Sequence, residues 1–425
     1  MSRPPEQPAA LAVGAVGLLV VGVLALWLVP WHPVPGGTPD PVAASSVFSA
    51  AQVERAEDYS RVARTWSWGA LLVSLLVACW LGFGRRGRAL VAGLPGPWWL
   101  RVVLAVAALD LLGALVRLPF AVLLRREALA RGLSTQPWTG FARDDLLGQL
   151  VSIVMTSLGL LAVLAVARRW QRAWPVVAGV VLGVLVLLGA FVYPLLVEPL
   201  FNSFTPLPHG SLRTRILALA DREGVQVDDV LVADASRRTT TINAYVSGFG
   251  STRRVVVYDT LVHDLPQDQA LSVVAHELGH AKHGDVVTGS VLGAGGALVG
   301  VGLLALVVGA VGRRTGVGMR DPAVVPLVLA LVALGALASS PLENVVSRRI
   351  ETRADVDALE TTRDPQAFIA MQRELSLRAL ADPTPPAWSQ LWFGTHPTVL
   401  ERIAIARQLS GRSAARSRAT RSASR

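Results

Sequence analysis

His276, Glu277 and His280 stand in the segment AHELGHAKHGD, residues 275–285, and their spacing is that of a metal-dependent hydrolase. Residues four apart share one face of a helix, so His276 and His280 can present imidazole nitrogens to a single Zn²⁺. Glu277 lies beside them and can take a proton from metal-bound water. The chain has 7 histidines. Independent placement would produce the pattern in roughly 0.3% of such chains, so coincidence is a poor explanation. The apolar run 270–275 would bury the motif, where two histidines and a glutamate are costly without a metal. His283 falls near the same face but two turns from His276, where a capping or solvent-facing role suits a histidine near a helix end.

A catalytic zinc keeps three protein ligands and one open position, so a third donor must come from elsewhere. Glu343, Glu351 and Glu360 lie close enough in sequence to compete for that place. Glu343 follows Pro341 by two residues at the end of an apolar run, where it could simply meet the membrane interface. Glu360 has Asp364 one turn ahead, but Pro365 follows and disfavours helix there. In SRRIETRADVDAL, residues 347–359, Glu351 and Asp355 are four apart on a predicted helix. One can bind metal while the other orients a ligating histidine, which makes Glu351 the best candidate.

The elements that must position these residues are largely membrane helices. The 425 residues are 52% apolar and 16% charged, with a mean hydropathy of +0.48, which is too apolar for a soluble chain of this size. About 20 apolar residues span a bilayer as a helix, and seven stretches qualify: 10–29, 66–83, 99–124, 147–167, 175–197, 287–311 and 323–340. Most end at arginine pairs or tryptophan, as at Arg85 and Arg86, Arg168 to Trp170, and Arg313 and Arg314. The first reads as a retained anchor, since it is too long for a secretory leader and lacks a convincing cleavage site. The net charge of +10 comes from arginines scattered beside apolar runs rather than clustered on one element, so nucleic acid is excluded as a partner. A lone cysteine, Cys79, excludes an internal disulfide. Glycines at Gly179, Gly183, Gly293, Gly295, Gly296 and Gly300 predict close packing of the fifth and sixth spans. Asp110 and Arg117, seven apart within the third span, must face water or each other.

Two regions outside the spans are large enough for chemistry, 198–285 and 348–425, and they are expected to fold together. The pattern predicts helices over 211–223 and 267–283, a short strand over 230–233, and a hairpin from 239–246 and 253–258 around Gly248 and Gly250. The expected organisation is an N-terminal membrane region with five spans (1–198), a zinc-protease domain (199–286), two further spans (287–347), the C-terminal part of the protease domain (348–411) and a disordered basic tail (412–425).

With these residues in place, HELGH followed by ENVVSRRIETRAD resembles the type I CAAX prenyl protease family of membrane zinc metalloproteases. PLFNSFTPLPHGSLRTRI, INAYVSGFGSTRRVVVYDTLV, FGTHPTVLERI and LPFAVLLRREALARGLSTQ resemble further segments of that family, spread over most of the chain. The resemblance implies a mainly α membrane protein in which seven helices form a bundle around a chamber, with a small α+β zinc-protease domain. It implies an endopeptidase that hydrolyses peptide bonds by a zinc-activated water, with one Zn²⁺ per chain held by His276, His280 and Glu351. Glu277 would be the general base, Asp355 would orient a ligand, and His396 would steady the oxyanion. Asn243 and Ala244 would hold an extended substrate by edge-strand pairing. Partners would be a peptide or protein substrate, membrane-associated ones included, and the lipid bilayer. Thr352 and Ala281 stand where family members commonly carry aromatics, which bears on the fit of a prenylated substrate. The implied location is a bacterial plasma membrane with the protease domain in the cytoplasm; Arg125, Arg126 and the tail agree with that orientation, and the arginines at 85, 168 and 313 oppose it.

Overall fold

The structure, a computed structural model, describes residues 5–423 except 249, and their side chains except at 251 and 413–423. The membrane-side helices are α1 (Gln7–Leu28), α2 (Ala50–Phe83), α3 (Arg85–Ala92), α4 (Trp98–Ala130), α5 (Trp138–Arg169), α6 (Trp174–Leu196) and α7 (Glu198–Phe201). Then come β1 (Phe204–Pro206), α8 (Ser211–Glu223), β2 (Asp229–Ala233), β3 (Ala244–Ser247), β4 (Arg254–Tyr258), α9 (Asp259–Asp264) and α10 (Gln267–His283). The chain continues through α11 (Asp285–Thr315), α12 (Val325–Thr362), α13 (Pro365–Ala379), α14 (Ala387–Phe393) and α15 (Val399–Ala423). Among the described residues 7 helices, α1, α2, α4, α5, α6, α11 and α12, are long and apolar enough to cross a membrane, and each overlaps one of the seven expected stretches.

Small residues set how closely these helices approach. A Cβ on Gly302 would come within 2.8 Å of the Gly14 backbone, and one on Gly295 within 2.8 Å of the Val21 side chain, so α1 and α11 meet nearly backbone to backbone. Gly179 packs against Leu298, Gly183 against Ala294 and Gly293 against Val186, as the glycine pattern predicts. Gly296 and Gly300 differ: no atom lies within 4 Å of a Cβ there, and both line a large cavity. Their role is to leave space.

The region between α7 and α10 holds a four-stranded sheet in the order β1-β2-β4-β3, with β2 and β4 parallel and the other pairs antiparallel. The expected hairpin is β3 and β4, with Ala244 opposite Val257 and Ser247 opposite Arg254. β3 is therefore an edge strand with one side unpaired within the sheet. β1 is too short and too exposed to carry a period-2 signal. Behind the sheet, α8, α10 and α13 bury Ile216, Leu219, Val274, Leu278, Phe368 and Met371 in a single core. That core fixes the rear face of α10.

Two expectations are corrected here. The seventh span and the helix over 347–359 are one continuous helix of 38 residues, so the boundary at 347/348 falls inside α12. Pro341 does not end it, although a proline leaves the carbonyl four residues earlier without its N–H partner. That carbonyl, Leu337 O, instead accepts from Trp392 Nε1 at 3.2 Å. The tail expected to lack structure is helical as far as Ala423, in keeping with the good helix propensity of its arginines and alanines; residues 424–425 lie outside the described residues.

Candidate metal centre

α10 ends at Gly284, whose left-handed φ of 65° breaks the helix and lets α11 start in a new direction at Asp285. α12 packs alongside α10 and comes near at Gly279, where an added Cβ would lie 3.3 Å from Ala354 Cα. This contact sets the register that brings Glu351 and Asp355 opposite the two histidines. His276 Nε2 lies 3.2 Å from His280 Nε2 and 3.2 Å from Glu351 Oε2, and His280 Nε2 lies 3.6 Å from Glu351 Oε1. One donor atom from each of the three side chains falls within 4.8 Å of the others. Glu343 lines the same cavity nearer the membrane and Glu360 is exposed; neither joins this cluster.

The other ring nitrogens fix the tautomers. His276 Nδ1 is 2.9 Å from Asp355 Oδ1, and His280 Nδ1 is 2.9 Å from Asp285 Oδ2. With each Nδ1–H donated to a carboxylate, both Nε2 lone pairs converge on one point together with the Glu351 carboxylate. Facing lone pairs at 3.2 Å are repulsive unless a proton or a cation lies between them. Burial alone would lower the pKa of His276, but the Asp355 and Glu351 carboxylates outweigh it and push it up to about 10. The same two carboxylates favour a cation at this point. Glu351 Oε2 is buried without a hydrogen bond among the described residues, as an atom reserved for a ligand would be. Donors about 2.0–2.2 Å from a tetrahedral centre lie about 3.3 Å apart, so the observed separations fit such an ion.

Asp355 is fully buried and is held in turn by Arg402 from α15, which bonds both of its oxygens and also reaches His276 Nδ1 at 3.4 Å. Asp285 is likewise bonded by Arg353. Neither Asp285 nor Arg402 stands out from spacing alone. The available signals were an aspartate just past the helix-ending glycine and an arginine in the closing FGTHPTVLERI segment. Since partners that orient a ligating histidine are worth about 10- to 100-fold in metal affinity, Asp285→Asn is expected to weaken the metal by that factor with the fold intact. Metal content against chelator concentration checks this, and unchanged affinity would deny Asp285 the role.

His396 sits in the segment between α14 and α15. Arg348 of α12 donates to Gln390 O at 3.0 Å and Gly394 O at 2.5 Å, and Asn344 donates to Trp392 O at 2.7 Å, so α12 carries this segment directly. Beyond it, Thr398 and Glu401 form a reciprocal cap that fixes the start of α15, with Thr398 N to Glu401 Oε2 at 2.6 Å. Held from both sides, His396 opens onto the cavity, its side chain 56% exposed and its Nε2 3.3 Å from Glu351 Oε2. Partial desolvation within the cavity lowers its pKa, against the Glu351 carboxylate, which acts to raise it.

The cavity has a volume of about 1580 Å³ and is lined by His276, Glu277, His280, Glu351 and His396, and by Asn243 and Ala244 at the unpaired edge of β3. From this centre it runs between α11 and α12 toward α1. Burial raises the Glu277 carboxyl above the ordinary glutamate range, a shift opposed by the neighbouring histidines. Every site residue expected from sequence thus faces one cavity except Asp355, which lies behind His276. His283 is elsewhere, 2.9 Å from Asp357.

Comparison with known proteins gives the same architecture. The profile of Peptidase family M48 matches residues 206–410, and one described as "CAAX prenyl protease N-terminal, five membrane helices" matches residues 38–203. The chain is 30% identical over 318 residues to the metalloprotease YhfN of Bacillus subtilis, covering 72% of this chain and 73% of that one. It is 32% identical over 283 residues to a rice protein named CAAX prenyl protease 1 homolog, covering 64% and 65%. The crystal structure of Ste24p from S. mikatae superposes with a TM-score of 0.74 over 94% of this chain and 99% of that one, at 20% identity, which shows a shared fold.

Proposed function

The chain belongs to peptidase family M48 and is a multi-pass integral-membrane metalloprotease, and from that premise we propose that it is a zinc endopeptidase acting through His276, His280 and Glu351. The observation that carries the reading is the convergence of two oriented Nε2 atoms and one carboxylate, with Glu277 beside them, on a cavity large enough for a peptide. Two nitrogens and one oxygen at tetrahedral spacing suit zinc, with a fourth position left for water or substrate. When bound, Zn²⁺ supplies Lewis acidity, which lowers the pKa of water and polarises a carbonyl.

The remaining work falls to the chain's own side chains. The free edge of β3 at Asn243 and Ala244 takes an extended peptide by backbone pairing, which reads main chain more than side chain. Glu277 accepts the proton of the attacking water and passes it to the departing amine. His396 donates to the oxygen that gains charge as the carbonyl becomes tetrahedral. Asp355 and Asp285 hold the imidazoles in the tautomer that leaves Nε2 free, and Arg402 holds Asp355. Stripping the metal with a chelator is expected to abolish peptide hydrolysis, and one equivalent of Zn²⁺ per chain should restore it. Hydrolysis that survives in metal-free protein would overturn the reading.

The substrate we propose is a peptide or protein at or in the membrane, because the cavity continues from the site into the membrane-spanning helices. The host membrane is a bacterial plasma membrane with the protease domain on the cytoplasmic side. In a Cys79→Ala background, Arg222→Cys on exposed α8 is expected to react with an impermeant thiol reagent only in opened cells; labelling of intact cells would reverse the orientation.

A further inference from the structure

Glu343 lies on the face of α12 that lines the catalytic cavity, on the membrane side of the metal centre. Its neighbours Asn344 and Arg348 turn the other way and carry the segment before α15, bonding Trp392 O and Gln390 O. Ser339 and Ser347, one turn to either side of Glu343, share its face and line the same cavity. With Glu351 they form a polar row that steps four residues at a time from the metal centre toward the membrane. Around that row the walls are aliphatic, formed by Leu18 and Val21 of α1, Leu292 and Leu303 of α11, and Leu334 and Leu342 of α12.

Among the described residues, four carboxylates line this cavity, and Glu343 differs from the other three. Glu351 faces His276 and His396, Asp285 is held by His280 and Arg353, and Glu277 lies in the field of His276 and His280. Glu343, among the described residues, has no hydrogen bond or ion pair. Arg253, the one guanidinium on the described cavity wall, has interactions of its own and does not pair with it. A glutamate at the end of a span can be satisfied by the lipid interface, but that does not account for one on the inner wall. Aliphatic surroundings screen a charge poorly, so Glu343 attracts a cation more strongly than a carboxylate on an open surface does.

We propose that Glu343 is a specificity subsite for a positively charged side chain of the peptide, an arginine or lysine about three or four residues from the cleaved bond. The inference rests on the peptide hydrolysis proposed above and names the class of peptide the site takes. Glu343 precedes Glu351 by eight residues, about 12 Å along α12. An extended peptide with its cleaved bond at the metal centre covers that distance in about three or four residues, at about 3.3 Å each. Pairing at the edge of β3 reads main chain, so it does not distinguish one side chain from another. Glu343 adds that discrimination by charge. Its carboxylate takes the cation, and the hydroxyl oxygens of Ser339 and Ser347 accept from the remaining donors of a planar guanidinium, which favours arginine over lysine. The residues between the bond and the cation lie against the aliphatic walls, so they are apolar.

The test uses full-length protein in nanodiscs and fluorogenic peptides that are apolar except at one position, which carries arginine or its neutral isostere citrulline. That position is moved one residue at a time along the peptide, and mass spectrometry locates the cleaved bond. The quantity read is the ratio of kcat/KM for arginine over citrulline. It is expected to reach at least about fivefold at a single position, the third or fourth from the bond on one side, and to fall as ionic strength rises. Glu343→Gln should bring the ratio to about one, and Glu343→Lys should reverse the preference, so that glutamate is favoured over glutamine at that position. A ratio near one at every position, or a preference that survives Glu343→Gln, overturns the assignment. So does a co-purifying lipid with an amine headgroup that is lost in Glu343→Gln while arginine and citrulline peptides are cleaved alike, since Glu343 then serves lipid. Binding of the same peptides to Glu277→Gln protein keeps the two readings apart. A preference for arginine in binding that depends on Glu343, in a protein whose wild-type form cleaves no peptide, would sustain this subsite and sink the hydrolysis reading.

Discussion

Glu277→Gln is expected to lower peptide cleavage by at least about a hundredfold while one metal ion stays bound and the fold is unchanged. The substitution keeps the size and polarity of the side chain and removes only its ability to accept a proton. Glu277 lines the catalytic cavity but is absent from the ligand cluster, which consists of His276, His280 and Glu351. Loss of a base alone should therefore appear in kcat and leave metal content intact. Steady-state cleavage of a fluorogenic peptide, with zinc measured on the same preparation, separates the two quantities. Near wild-type turnover at full zinc would remove Glu277 from the mechanism, and loss of zinc would show that it supports the ligands instead.

What sequence could reveal followed from how local each signal is. α10 runs from Gln267 to His283, the residues its apolar period marks out, because Gly284 supplies the stop that the pattern needs. The ligand histidines and their relation to Glu277 are fixed by one turn of that helix. Glu351 and Asp355 were legible for the same reason, as a pair one turn apart. Asp285 and Arg402 were not, because their roles arise only when the end of α10 folds against α11 and when α15 packs on α12. The length of α12 is not legible at Pro341, since the partner that satisfies the freed Leu337 carbonyl is Trp392, fifty-five residues further on. The partner of Asp110 is equally hidden, because its same-face spacing with Arg117 suggests a pair and Gln149 of α5 takes that place.

The third ligand offers the sharpest contrast among similar residues. Glu343, Glu351 and Glu360 all lie on α12, yet only Glu351 comes within reach of both imidazoles, at 3.2 Å from His276 Nε2 and 3.6 Å from His280 Nε2. Glu343 lies eight residues earlier, about 12 Å toward the membrane along the helix, and Glu360 is exposed near the other end. Glu351→Ala is expected to lower zinc occupancy sharply and abolish cleavage, because two imidazoles remain where a catalytic site needs three protein donors. Glu343→Ala and Glu360→Ala should keep the metal. Asp355→Ala should fall between, weakening zinc by about 10- to 100-fold, since it frees the His276 tautomer without removing a ligand. It also leaves the buried Arg402 without its carboxylate partner, so Asp355→Asn is the cleaner variant for separating metal affinity from folding. Zinc content of the purified variants in detergent, at equal folded fraction, decides the order. Full occupancy in Glu351→Ala, with loss in either neighbour, would place the ligand on a different turn of α12 and require the α10–α12 register to shift by at least two turns.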